Sequence, residues 1–194
     1  MTELSNLIIT FGYVGVAVAI FAESGLFFAF FLPGDSLLFT AGFLASQGTF
    51  GIVPLIVLAT LAAIAGNSVG YWFGRKIGPH IFKKPDSFWF SQKRVDDAHA
   101  FFGKNGAKSI ILARFIPAVR TFTPIVAGIG GMRYVSFLSY NVVGSVLWGT
   151  FVPLAGYFLG TSVPGIDHYI IPIVGLIIVV SLLPLIPRAV ANLR

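Results

Sequence analysis

The sequence predicts an all-α integral membrane protein: two opposed re-entrant helical hairpins in an inverted repeat, about three full transmembrane helices, and a cytoplasmic interfacial helix. Three observations predict it. The chain is 56% hydrophobic and 10% charged, with a mean hydropathy of +0.89, which excludes an ordinary soluble domain. Two apolar stretches are interrupted by proline and carry the few charges found in apolar sequence. Most remaining basic residues gather in one loop, which orients the chain.

The whole chain reads as a single polytopic membrane domain, residues 1–194. Leu4 to Ala22 is uncharged and Glu23 follows, then an aromatic run to Pro33-Gly34, Asp35, and a second apolar arm ending at Ser46. A single helix does not continue through Pro-Gly. Two half-length arms meeting there make a first re-entrant hairpin over about 10–46, tolerable in a membrane only where its broken backbone is buried or hydrated. Met1-Thr2-Glu3 lacks the basic start of a signal peptide, so Met1 is expected to be retained.

Residues 52–74 form a full span, polar only at Asn67-Ser68, in which Ala59, Ala62, Ala63, Ala65, Gly66 and Gly70 permit close helix packing. Residues 75–108 hold Arg75, Lys76, Lys83, Lys84, Lys93, Arg94, Lys104 and Lys108, so this loop is expected in the cytoplasm. Within it, Ser91 to Phe102 reads as a short helix, with Phe88, Trp89 and Phe90 as interfacial anchors. For a net charge of +6, anionic lipid headgroups are a more economical partner than nucleic acid. A second re-entrant hairpin is expected over about 109–131, with spans at about 134–160 and 169–187. Asp167-His168 suits the outer face, and Arg188 and Arg194 put the C-terminus in the cytoplasm. FLPGDSLLFTAG and FIPAVRTFTPIVAG form a faint repeat, opening on aromatic-aliphatic-Pro and closing on Ala-Gly. Inverted repeats with broken helices are a transporter architecture.

Arg114 and Arg120 demand the most explanation. An arginine at the centre of a membrane helix costs roughly 2.5–3.5 kcal/mol on insertion scales, so both should face protein, water or ligand. On a straight helix they would lie on different faces. Pro117 breaks the path between them and lets both turn toward one point; Pro124 is a further expected break, as Pro33 and Gly34 are in the first hairpin. Glu23 and Asp35 are the acids within the first hairpin. Spacing leaves two readings open. The four charges could be salt bridges joining two hairpins, though buried pairs are weak evidence for stability. Alternatively, the arginines receive a phosphate headgroup, which their planar forks suit, while Glu23 and Asp35 carry protons that gate its binding. Ser24, Ser36, Asn67, Thr121 and Thr123 are accessory polar candidates. His80, His99 and His168 fall in expected loops and no spacing suggests a metal; the chain has no cysteine. Neither metal nor cofactor is expected. Trp72 and Trp148 read as packing or interface residues.

FAESGLFFAFFLPGDSLLFTAGFLAS, GNSVGYWFGRKIG, ILARFIPAVRTFTPIVAGIGGM and YNVVGSVLWG together resemble the DedA family of bacterial inner-membrane proteins, related to eukaryotic VTT-domain lipid scramblases. The likeness covers roughly Gly12 to Gly160. It implies opposed re-entrant hairpins, functional requirement for Glu23, Asp35, Arg114 and Arg120, and movement of polyprenyl phosphate, notably undecaprenyl phosphate, or phospholipid. Many members have Asp after Gly where this chain has Gly66-Asn67, so a proton or cation role of that acid is not carried over.

The expected function is therefore an undecaprenyl phosphate flippase coupled to protons or a cation. The alternatives are a phosphatidylethanolamine flippase or scramblase and a proton-coupled small-solute or drug exchanger. A lipid pyrophosphatase would need a nucleophile and an acid-base partner near the arginines; no histidine lies in an apolar segment, so no enzyme is expected. A purely structural protein is the remaining alternative, and a homo-oligomer fits any of these.

Overall fold

The computed structural model describes residues 3–26, 34–49, 51–81, 106, 108–114 and 117–162. Among these residues six helices follow in order: α1 (Glu3–Gly25), α2 (Gly34–Ser46), α3 (Ile52–Ile81), α4 (Ser109–Ala113), α5 (Pro117–Ile129) and α6 (Tyr134–Ser162). No strand occurs among the described residues. Pro33, the anchors at 88–90, the helix at 91–102, the span at 169–187 and the C-terminus lie outside them.

Among the described residues, two helices are long and apolar enough to cross a membrane, over Ile52–Lys76 and Tyr134–Ser162. Their outer faces carry large apolar side chains, among them Val53, Val57 and Leu61 on α3 and Val142, Val146 and Phe151 on α6. Surfaces of this kind suit lipid better than water. The first arm, expected from about residue 10, belongs to a helix that begins at Glu3.

The chain divides into two compact units: Met1–Ala19, Phe31–Ala59 and Gly149–Arg194 form unit 1, and Ile20–Phe30 with Thr60–Trp148 form unit 2. In unit 1, α2 buries Leu38, Ala41, Phe43 and Ala45. It meets the C-terminal part of α6 backbone to backbone. A Cβ built on Gly42 would overlap the Pro153 carbonyl, and one on Gly156 the Phe39 carbonyl. The α2 helix closes with Gly48 at φ +79°, where Thr49 N donates to Leu44 O (3.1 Å) and Gly48 N to Ala45 O (3.1 Å). That is a glycine-dependent C-cap that an L side chain would strain. The Tyr13 hydroxyl accepts from Gly51 N at 2.6 Å and donates to Gly51 O at 3.1 Å, fastening α1 to the start of α3.

In unit 2, α3 presents glycines at helical spacing. Gly66 abuts α1, where a Cβ would lie 2.6 Å from Phe21 O; Gly74 meets the Ile125 carbonyl of α5. Gly128 of α5 in turn meets the Tyr71 carbonyl. Tyr71, Ile110, Ala127 and Phe137 make the apolar core. Ala63, like Ala59 of unit 1, is fully buried as expected of a packing residue, whereas Ala65 faces outward.

Two expectations change. The α3 helix runs on past the expected span of 52–74 through Arg75, Lys76 and His80, so His80 is helical and not in a loop; the bare Gly74 admits Ile125. Pro124 does not break α5, which runs on to Ile129. Its ring side faces the bare Gly70, whose built Cβ would lie 3.4 Å from Pro124 Cβ. The Thr123 hydroxyl donates to Val119 O at 2.7 Å in the same turn, and such bonds help membrane helices tolerate proline.

Candidate functional site

The polar groups of unit 2 come from four chain segments. Glu23 and Ser24 lie in the last turn of α1, where Gly25 presses against Gly66. Asn67 follows Gly66 on α3, so this close contact of two backbones brings Asn67 beside Ser24. Arg114 stands just beyond α4, its N–H donating to Ile111 O at 3.2 Å. Arg120 lies in the first turns of α5, whose first residue is Pro117, a favoured place for proline because the N–H it lacks has no helical partner there. The α4 helix ends at Ala113 and α5 begins at Pro117, so the two arginines belong to separate helical segments.

They converge. The Arg114 guanidinium carbon lies 5.6 Å from the centre of the Trp148 ring and that of Arg120 lies 4.9 Å away, both inside the roughly 6 Å over which a cation is attracted to an aromatic face. Arg120 pairs with Glu23 across 97 residues of sequence, through Nη2 and Oε1. Arg114 is buried, with its stem against Gly144, where a Cβ would lie 3.3 Å from Arg114 Cδ. Its Nη1 donates to Asn141 Oδ1 at 3.2 Å.

Asn67 completes the network, and its carboxamide has two orientations. In one, Nδ2 donates to Asn141 Oδ1 at 2.7 Å, but the same nitrogen then faces the guanidinium. In the other, Oδ1 accepts from Arg114 Nη1 at 2.5 Å and Nδ2 donates to Ser24 O at 3.1 Å, leaving two oxygens opposed at the Asn141 contact. We favour the second, because arginine only donates and a charged donor at that distance requires an acceptor. Asn141 is further held by donating to Ile64 O at 3.2 Å and accepting from Ser145 Oγ at 3.3 Å.

Between these groups is a small cavity of about 10 Å³, lined by Ser24, Asn67, Ile110, Arg114, Arg120, Thr123, Pro124 and Trp148. It has room for about one water. Of the candidates, unit 2 thus gathers Glu23, Ser24, Asn67, Arg114, Arg120 and Thr123. Thr121 is buried on the same α5 helix. Asp35, in the first turn of α2, and the buried Ser36 belong to unit 1. Thr123 spends its hydroxyl on its own helix.

Sequence reasoning missed Asn141 and Ser145 and took Trp148 for packing. Trp148 is 4% exposed and lies beneath both arginines. A signal was present: Asn141, Gly144, Ser145 and Trp148 recur at 3 to 4 residue spacing along α6, one face of a helix otherwise rich in valine and leucine.

The VTT domain family matches residues 32–158. The chain is 49% identical over 167 residues to an uncharacterized membrane protein of Mycobacterium leprae, covering 86% of this chain and 74% of that one. It is 46% identical over 187 residues to the protein DedA of Escherichia coli, covering 94% and 85% respectively. With the inner membrane protein YqjA of Escherichia coli it shares 36% over 153 residues, 77% of this chain and 68% of that one. No solved structure matches the chain.

Proposed function

This chain belongs to the DedA family of VTT-domain membrane proteins, and on that footing we propose that it is a membrane lipid transporter whose polar centre receives the phosphate of a lipid headgroup, with undecaprenyl phosphate the favoured cargo. The observation that carries the reading is the convergence of Arg114 and Arg120 on one buried indole, with Arg120 already holding an oxyanion, the Glu23 carboxylate. Guanidinium groups bind carboxylate and phosphate by the same fork. Glu23 therefore stands where a phosphate oxygen would compete.

The cavity is too small for a headgroup, so on this reading the site must widen to admit one. Opening requires Glu23 to release Arg120. Protonation of Glu23 removes the charge that holds it there, which links headgroup binding to a proton; Asp35 is the second acid assigned to coupling. Helices α2 and α5, each of 13 residues, are about 20 Å long, short of the roughly 30 Å hydrocarbon layer. Their length supports reading α2 and α5 as half-length arms of opposed re-entrant hairpins, whereas α1, with 23 residues, is long enough to span. Residues 75–108 and the C-terminus are assigned to the cytoplasm of a bacterial inner membrane on their charge.

The adjacency of Arg120 and Glu23 also favours a second cargo, a zwitterionic headgroup such as phosphatidylethanolamine. The test uses proteoliposomes with labelled undecaprenyl phosphate, its leaflet distribution followed with and without a pH gradient. Wild type is expected to move the lipid, and folded Arg114→Ala and Glu23→Gln to fail. Folded wild type that moves phosphatidylethanolamine but not undecaprenyl phosphate would sink the favoured cargo and leave the transporter reading standing; movement of neither would sink both.

A further inference from the structure

A second polar surface of unit 2 lies outside the cavity. The uncharged stretch of α3 ends at Arg75-Lys76, and that of α6 begins just after Arg133. These ends are in contact: the Trp72 and Tyr134 rings are 5.2 Å apart, and Tyr71 stacks on Phe137 at 4.7 Å. Trp72 is 52% exposed, and Arg75 and Arg133 are exposed. Tryptophan and tyrosine at the end of a span belong at headgroup depth.

Arg75 is more than a loose surface cation. Its Nη1 donates to the Tyr71 hydroxyl at 2.8 Å, and its guanidinium carbon lies 5.9 Å from the Trp72 ring. Tyr71 is fully buried, and its hydroxyl donates onward to the Met132 carbonyl. Arg133 is the next residue, so this hydrogen-bonded chain ties the Arg75 guanidinium to the backbone beside Arg133. A fork fixed in advance loses less freedom on binding than a mobile one. Glu23 is the one acid among the described residues of unit 2, and it is engaged with Arg120.

We propose that Arg75 and Arg133, beside Trp72 and Tyr134, form a binding site for the phosphate of an anionic glycerophospholipid, separate from the transport cavity. The exposed indole lies along the glycerol and upper acyl region while the guanidinium groups hold the phosphate. An exposed aromatic and an apolar helix face are of no use to a free anion, so the occupant is a lipid.

The test reconstitutes the full chain in phosphatidylcholine vesicles containing brominated phosphatidylglycerol or brominated phosphatidylcholine at equal mole fraction. Trp72 emission is assigned by its loss in Trp72→Phe. Quenching by the brominated phosphatidylglycerol is expected to be at least about threefold more effective, and Arg75→Gln with Arg133→Gln to abolish that preference. Equal quenching by both lipids, or a preference that survives the double substitution, overturns the proposal. So does suppression of the preference by millimolar inorganic phosphate at constant ionic strength, which would mark a simple anion site. If Trp72→Phe does not fold, phosphatidylglycerol retained through purification is counted per protein. Wild type should keep more than the double variant, and equal retention overturns the proposal. The site does not depend on Arg114 or Glu23, so this result stands apart from the transport assay.

Discussion

Helix α2 of unit 1 and helix α5 of unit 2 have the same length and the same ending. Each has 13 residues. Each sets an Ala-Gly pair, Ala41-Gly42 or Ala127-Gly128, with its glycine against a carbonyl of a membrane-length helix. Each closes on a left-handed glycine, Gly48 or Gly131, with matching hydrogen bonds: Thr49 N to Leu44 O, and Met132 N to Ala127 O, both 3.1 Å. These Ala-Gly pairs are the shared ends of the sequence repeat. What the helices help bury differs. Described buried groups of unit 1 are apolar apart from Ser36, whereas unit 2 encloses Glu23, Arg114, Asn67, Asn141 and Ser145. One packing device serves both. Membrane folding alone therefore does not call for the buried charges, and their cost points to function.

The largest effects should come from breaking the shared device. Gly42→Val and Gly128→Val each drive a side chain into a backbone carbonyl, and folded yield in detergent, read by size-exclusion chromatography, should fall to background in both. If only one is lost, the two contacts are not equivalent. Next comes Arg114→Lys, which keeps the charge and loses the fork: transport should drop about tenfold or more with little change in thermal stability. A silent Arg114→Lys would favour the salt-bridge reading of the site.

Trp148→Leu should weaken lipid binding by roughly tenfold, since it removes a face shared by two cations worth about 0.5–2 kcal/mol each, and Trp148→Phe should restore part of it. A titration with phosphate-bearing lipid in nanodiscs would measure both. Asn141→Ala leaves buried donors with one acceptor fewer and should cost about 1–3 kcal/mol in thermal unfolding. The smallest effect belongs to unit 1: Tyr13→Phe removes the link to Gly51, costing about 1 kcal/mol, with transport unchanged.

Much of this was legible in the sequence because it rests on costs that sequence displays. Arginine in apolar sequence must be accommodated, and Pro117 between the two favours a helix boundary there, so two convergent arginines could be expected. That Glu23 is the partner of Arg120 could not, since nothing local relates positions 97 residues apart. Trp148 was hidden for the opposite reason: tryptophan is common in membrane helices and carries no penalty that asks for explanation. Pro124 misled because proline is read as a breaker on its own, and only the neighbouring helix reveals that it faces Gly70.

Gly25 and Gly66 touch one residue away from Ser24 and Asn67, with a Cβ at Gly25 only 2.7 Å from Gly66 O. No side chain stands between these two backbones, so no rotamer change can widen or narrow the gap. The spacing of Ser24 from Asn67 is therefore a gauge set by the thickness of the peptide chain. Temperature, lipid composition or cargo can alter it only by parting the helices themselves.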